Sequence, residues 1–204
     1  MCISFASTQN HVWVKKHFSV DLPSGYPAEA FPGYLAPLII KSHQSSRIAC
    51  GVAQFGLIPH WSHDRKIQKY TYNARAESIA EKPSYRGPWK SRHFGIALVD
   101  AFYEPSYLTG KSVRTPIRAS SGEPLGIASI WDTWTDTSAG QVVTSFSLIT
   151  INADNHPFMK TFHRPDDEKR TVVCLRPELF DAWLSTTPED AHQFLQLSSI
   201  TELE

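Results

Sequence analysis

The chain has 204 residues, 41% of them hydrophobic, and its 20 basic and 20 acidic side chains cancel to zero formal charge. That profile fits one globular domain with a substantial core and excludes a disordered chain. It also excludes a global field that would draw the protein to nucleic acid or an anionic membrane, so any polyanion must meet a local basic patch. No apolar run approaches the roughly 18–20 residues needed to span a bilayer. The N-terminus lacks the basic-then-apolar order of a secretory signal, and a cytoplasmic protein is expected. The three cysteines, Cys2, Cys50 and Cys174, form neither a CxxC pair nor a cluster at metal-ligand spacing. A disulfide framework is not expected. The expectation is a monomer without metal or organic cofactor.

Cys2 follows Met1 directly. Removal of Met1 would place a thiol and an α-amine on adjacent carbons, with ordinary pKa values of about 8.5 and about 7.7–8.0. Such an aminothiol condenses with an aldehyde, first to an imine and then to a five-membered thiazolidine. The plain alternative is a small residue tolerated in a frayed terminus. Residues 15–44 carry Pro23, Pro27, Pro32 and Pro37 and read as an irregular connection. Ile48 to Ile58 reads as a strand, running into Gly56-Leu57-Ile58-Pro59-His60-Trp61. Six cations (Arg65, Lys66, Lys69, Arg86, Lys90 and Arg92) then lie beside Trp61, Tyr72 and Trp89. Aromatic platforms along a basic track suit single-stranded nucleic acid, and a solvated face is the alternative.

Tyr72-Asn73-Ala74-Arg75-Ala76-Glu77-Ser78 follows, with a short helix expected over Ala74 to Ala80 before Pro83. Further strands are expected at Phe94 to Tyr103, Leu125 to Trp134, Ser145 to Ile151 and Thr171 to Leu175. The first ends on Glu104-Pro105. Trp131 and Trp134 read as core, as do Cys50 and Cys174 within β-like runs. Two histidines, His156 and His163, stand in Asn152-Ala153-Asp154-Asn155-His156-Pro157 and Thr161-Phe162-His163-Arg164-Pro165. After Pro177, Leu179, Phe180, Trp183 and Leu184 share a helical face, and Thr187 reads as an N-cap ahead of Ala191 and Phe194. Together these give a single α+β domain over 1–204. Its mostly antiparallel sheet curls into a barrel-like form, and helices from about residue 177 pack outside it.

Met-Cys, Gly-Leu-Ile-Pro-x-Trp, Asn-Ala-Arg-x-Glu, Phe-Tyr-Glu and a late histidine, in that order, resemble the SOS response-associated peptidase (SRAP) family over about residues 1 to 184. The resemblance implies a DNA-damage protein that binds single-stranded DNA and crosslinks through Cys2 to the aldehyde of an abasic site. It also implies removal of Met1, autoproteolytic or by an aminopeptidase, and residence on damaged DNA of the nucleoid. Under it, Cys2, Asn73, Glu104 and His163 carry the chemistry. Glu104 would be a proton shuttle with a pKa raised by desolvation. His163 would be a second proton donor, with His156 as the alternative. Asn73 would orient the backbone and amine of Cys2, and Arg75 would hold a phosphate. Trp61, Tyr72, Arg86 and Pro37 would lie along the strand. The chain departs from the family pattern at Ile3 and Ser4, where Gly-Arg is usual, at Pro105, where Trp is usual, and in the insert Asp166 to Arg170. Two rival readings stay open: an N-terminal-nucleophile hydrolase using Cys2, and a non-covalent single-strand-binding module.

Overall fold

Apolar and small residues alternate through the longest β-like runs, which suits strands that bury one face. The computed structural model describes residues 2–42, 45–197 and 200–204; Met1 and the last two residues of the 15–44 segment, His43 and Gln44, lie outside them. Among the described residues, eleven strands join one sheet. They are β1 (Phe5–Ser7), β2 (Glu29–Ala30), β3 (Leu35–Lys41), β4 (Ile48–Phe55), β5 (Asn73–Arg75), β6 (Phe94–Ser106), β7 (Val113–Ile117), β8 (Leu125–Asp136), β9 (Gln141–Asn152), β10 (Arg170–Val172) and β11 (Cys174–Leu175). Five of them close on themselves in the order β3-β4-β9-β8-β6 and back to β3. Every contact in that ring is antiparallel except β4 with β9. Closure removes the free edges through which an open sheet aggregates. The curled, barrel-like α+β architecture expected from sequence is the one observed.

Helix α1 (His11–Phe18) begins where Asn10 Oδ1 accepts the Trp13 N–H at 2.9 Å and ends at Ser19 in the left-handed region. It buries Trp13, Val14 and Phe18. Phe18 stacks on Phe180 of α3 (Phe180–Ser185), ring centres 5.1 Å apart. Two barrel glycines meet α3, one by leaving room for it and the other by accepting a hydrogen bond from it. A Cβ on Gly126 would stand 2.5 Å from the Phe180 ring, and the buried Trp183 donates its indole N–H to the Gly95 carbonyl at 2.9 Å. A third helix, α2 (Arg86–Lys90), follows β5. No helix among the described residues is long and apolar enough to cross a membrane.

Several expectations need correction. Residues 15–44 are not irregular throughout: they hold the end of α1, β2 and all of β3. Pro37 hides β3 from a sequence reading, because proline is uncommon inside strands. It stands one residue outside the Leu38–Ile40 stretch that pairs with β6, where a missing N–H removes no ladder bond. The helix expected over Ala74 to Ala80 is instead strand β5 followed by a 3₁₀ turn over Ala76–Ser78. Parallel pairing with β9 overrides the helical pattern there. Cys50 is only half-buried, whereas Cys174 is fully enclosed. After Pro177 the chain is helical as expected, and Thr187 Oγ1 accepts the Asp190 N–H at 3.3 Å ahead of a 3₁₀ turn at Ala191–Phe194.

Candidate active site

Strand β1 brings the N-terminus to the end of β6, with Phe5 opposite Phe102 and the Tyr103 N–H donating to the Ser4 carbonyl at 3.1 Å. Phe5, Phe55 and Phe146 pack ring against ring beneath this junction and fix it to the barrel. Cys2 therefore sits beside Glu104, both almost completely out of water.

The Cys2 thiol donates to the Ser4 carbonyl at 3.3 Å. Burial, and then the nearby Glu104 charge, push its pKa far above the usual thiol range. The ordinary thiol pKa given above therefore does not hold at this site, and Cys2 rests as a thiol. Asn73, placed by the pairing of β5 with β9, donates its amide N–H to the Cys2 carbonyl at 2.8 Å. Its Oδ1 is buried and has no hydrogen-bond partner among the described residues. The Asn73 carbonyl in turn accepts from the Tyr85 hydroxyl at 3.0 Å.

Glu104 is 1% exposed, and its pKa is raised to about 7, chiefly by burial. Its Oε2 lies 3.5 Å from Nδ1 of His163. His163 adopts a left-handed backbone with φ of 62°, and its N–H donates to the Pro105 carbonyl at 2.9 Å. Its Nε2 is 2.9 Å from the Arg170 carbonyl. A carbonyl only accepts, so Nε2 carries the hydrogen and the Nδ1 lone pair faces Glu104. Burial lowers the His163 pKa, which keeps the ring neutral. One proton can therefore rest on the Glu104 carboxyl, between the nucleophile and the imidazole.

His156 is placed differently. Its Nδ1 accepts the N–H groups of Phe158 at 3.2 Å and Met159 at 3.1 Å, capping a turn. The geometry brings His163, not His156, to Glu104.

Arg75 is half-exposed at the end of β5 and pairs with Glu168 at 2.9 Å. Glu77 grips the buried Arg170 with both oxygens, at 3.1 and 2.9 Å. Arg75, His163, Asp167, Glu168 and Arg170 line a depression of about 280 Å³. Tyr72 is half-buried with its ring 6.0 Å from Phe55, and its pKa is raised by burial and then by Cys2 and Glu104. Trp61 is 47% exposed, its indole N–H on the Pro83 carbonyl at 3.3 Å. Arg86 is exposed at the start of α2. Two proposed contacts are corrected: Pro37 is buried within β3, and Trp89 is packed against Phe94 with 4% exposure, so neither presents a face to a base. The basic track is also thinner than its sequence. Arg65 is committed to Asp136 and to the face of Trp134, and Arg92 to the carbonyls of Ser185 and Thr186.

Sequence reasoning missed Arg170, Tyr85 and Arg114. Arg114 lies 3.4 Å over the Tyr103 ring, donates to Ser4 Oγ at 2.9 Å and pairs with Glu29. Its only sequence signal was the unusual Ser4 itself. Among the described residues no group of three or more His, Cys, Asp or Glu side chains is arranged to hold a metal ion.

The chain is also similar to known proteins. The chain is 30% identical over 216 residues to Abasic site processing protein YoqW of Bacillus subtilis, covering 100% of this chain and 90% of that one. It is 27% identical over 143 residues to Abasic site processing protein HMCES of Pongo abelii, covering 56% of this chain and 40% of that protein. A crystal structure of a Bordetella bronchiseptica protein superposes with a TM-score of 0.86 at 29% identity, over 96% of this chain and 93% of that one. The family model described as SOS response associated peptidase (SRAP) matches residues 1–204, and the chain belongs to that family.

Proposed function

We propose that the protein captures abasic sites in single-stranded DNA as a covalent thiazolidine on Cys2, once Met1 has been removed. The observation that carries this reading is the convergence of Asn73 and Glu104 on Cys2, with His163 against Glu104, from three distant parts of the chain. The names of the relatives, which are abasic site processing proteins, support the substrate.

The order of steps follows from the electrostatics. A thiol held neutral by burial is a poor first nucleophile, so the α-amine of Cys2 attacks the aldehyde of the ring-opened sugar. The resulting carbinolamine loses water to give an iminium ion. Glu104, with a pKa near 7, protonates the departing oxygen. Its anion then accepts the thiol proton, and sulfur adds to the iminium carbon. One aldehyde and one aminothiol give one thiazolidine and one water. His163, neutral and fixed by the Arg170 carbonyl, holds the carboxyl in place and shares its proton. Asn73 fixes the Cys2 carbonyl, and its vacant Oδ1 suits the freed amine.

The test is incubation of Met1-processed protein with abasic single-stranded DNA, read as a heat-stable shifted band on a denaturing gel. Absence of the band, or an undiminished band from Cys2→Ala, refutes the reading. An acyl-transfer hydrolase is the weaker alternative, because a deeply buried protonated thiol is poorly suited to attack a peptide bond.

A further inference from the structure

The Glu168 carboxylate spans two guanidinium groups. Its Oε2 is 2.9 Å from Arg75 Nη1, and its Oε1 is 2.7 Å from Arg170 Nη1. Arg170 does not depend on it, since Glu77 binds both Arg170 amino groups and the Thr150 carbonyl accepts from Nη2 at 2.9 Å. Arg75 differs, because Glu168 is its ion-pair partner in the structure and no other is found for it among the described residues. The pair is open to water, with Arg75 50% and Glu168 40% exposed. The two arginines and the two glutamates balance in charge. If Glu168 swings out, Glu77 still neutralises Arg170, and one positive charge remains beside the depression that reaches His163. Glu168 stands within the insert Asp166 to Arg170, where this chain departs from the family pattern.

We propose that Glu168 occupies the seat of a DNA phosphate and competes with the strand for Arg75, so that binding next to the lesion requires its displacement. The proposal rests on the single-strand reading above and deepens it. A planar fork recognises a carboxylate and a phosphate through the same geometry, so exchange needs no rebuilding of the site. An exposed pair of this kind is weak, and the phosphate displaces it without unfolding the loop. The competitor lowers affinity for all single strands alike, leaving capture to depend on the covalent step at Cys2.

The experiment measures equilibrium binding of labelled undamaged and abasic single-stranded DNA across a salt series. It uses full-length wild type, Glu168→Gln, Glu168→Ala, Arg75→Ala and the Glu168→Gln/Arg75→Ala double variant, with crosslink yield scored in parallel. Glu168→Gln should bind both DNAs about two- to fivefold more tightly. The salt slope should match wild type, because Arg75 meets the phosphate in both bound states, and Arg75→Ala should flatten it by about 0.7. Arg75→Ala should also erase the gain in affinity in the double variant. Glu168→Ala, which cannot substitute a new hydrogen bond, should act in the same direction. Unchanged or weaker binding by both Glu168 variants, with wild type still crosslinking, overturns the competitor and leaves the proposed function standing. Arg75-dependent tightening without any wild-type crosslink overturns the proposed function and retains the phosphate seat. If no variant binds DNA, both fall.

Discussion

Glu104 Oε2 lies 3.5 Å from Nδ1 of His163, and both side chains are more than nine-tenths out of water. Burial raises the carboxyl to about 7 and lowers the imidazole below its ordinary value, so the proton of the pair rests on the carboxyl while the ring stays neutral.

That pairing predicts a pH dependence of stability. The Glu104 pKa rises from 4.5 to about 7 on folding, so between those values the folded state binds more protons than the unfolded chain. Stability is then fully present below the unfolded value and is lost as pH rises through the folded one. The loss attributable to Glu104 is on the order of 3 kcal/mol. Glu104→Gln, which stays neutral, should flatten this decline in denaturant unfolding measured from pH 4.5 to 8. It should also slow crosslinking by about 100-fold or more. An unchanged pH slope in the variant would show that the carboxyl is not buried as described.

The two histidines should separate cleanly. His163→Asn retains a residue that tolerates the left-handed backbone, yet it should lower the crosslinking rate by about 10- to 100-fold and shift its pH optimum. His156→Ala removes the cap on Phe158 and Met159 and should cost about 0.5–2 kcal/mol of stability. Its crosslinking at a temperature where the variant is folded should match wild type. The opposite pattern would exchange their roles.

Much of this was legible in sequence, for identifiable reasons. The strand runs at Phe94, Leu125 and Ser145 combine β-branched and aromatic residues with long apolar stretches, and β6, β8 and β9 follow them closely. The candidate site residues stood out because their residue types and order are specific, although their local context was misread. Asn73 stands on a strand rather than near a helix, since the bonds that decide it come from β9, far along the chain. The high thiol pKa, Arg170 and the Glu168 bridge were not legible. Each depends on which side chains the barrel closure brings together, and no local pattern encodes that.

Asn73 admits a sharp test. Asn73→Asp places an acceptor against the Cys2 carbonyl where a donor now stands at 2.8 Å. It should destabilise the fold by about 1–3 kcal/mol and reduce crosslinking more than Asn73→Ala does. Urea unfolding and gel assays on both variants check the ranking. An Asp variant equal to wild type in both would remove Asn73 from the site.

Gly56 explains part of the Gly-Leu-Ile-Pro motif. Its φ is +94°, and a Cβ there would lie 2.7 Å from the Gln68 carbonyl oxygen. Gln68 Nε2 also donates to the Gly56 carbonyl at 3.0 Å, tying the end of β4 to the segment that leads to Asn73. Gly56→Ala should cost about 2–4 kcal/mol through backbone strain and overpacking. Thermal unfolding checks this, and a change below about 0.5 kcal/mol would contradict the close approach.

The most direct measurement is peptide mapping by mass spectrometry of the product formed with abasic single-stranded DNA, without added reductant. The account predicts that the sugar remnant is attached to the N-terminal peptide, that Met1 is absent from it and that the Cys2 thiol no longer reacts with an alkylating agent. A remnant on a lysine, or a crosslinked peptide that still begins with Met1, would contradict it.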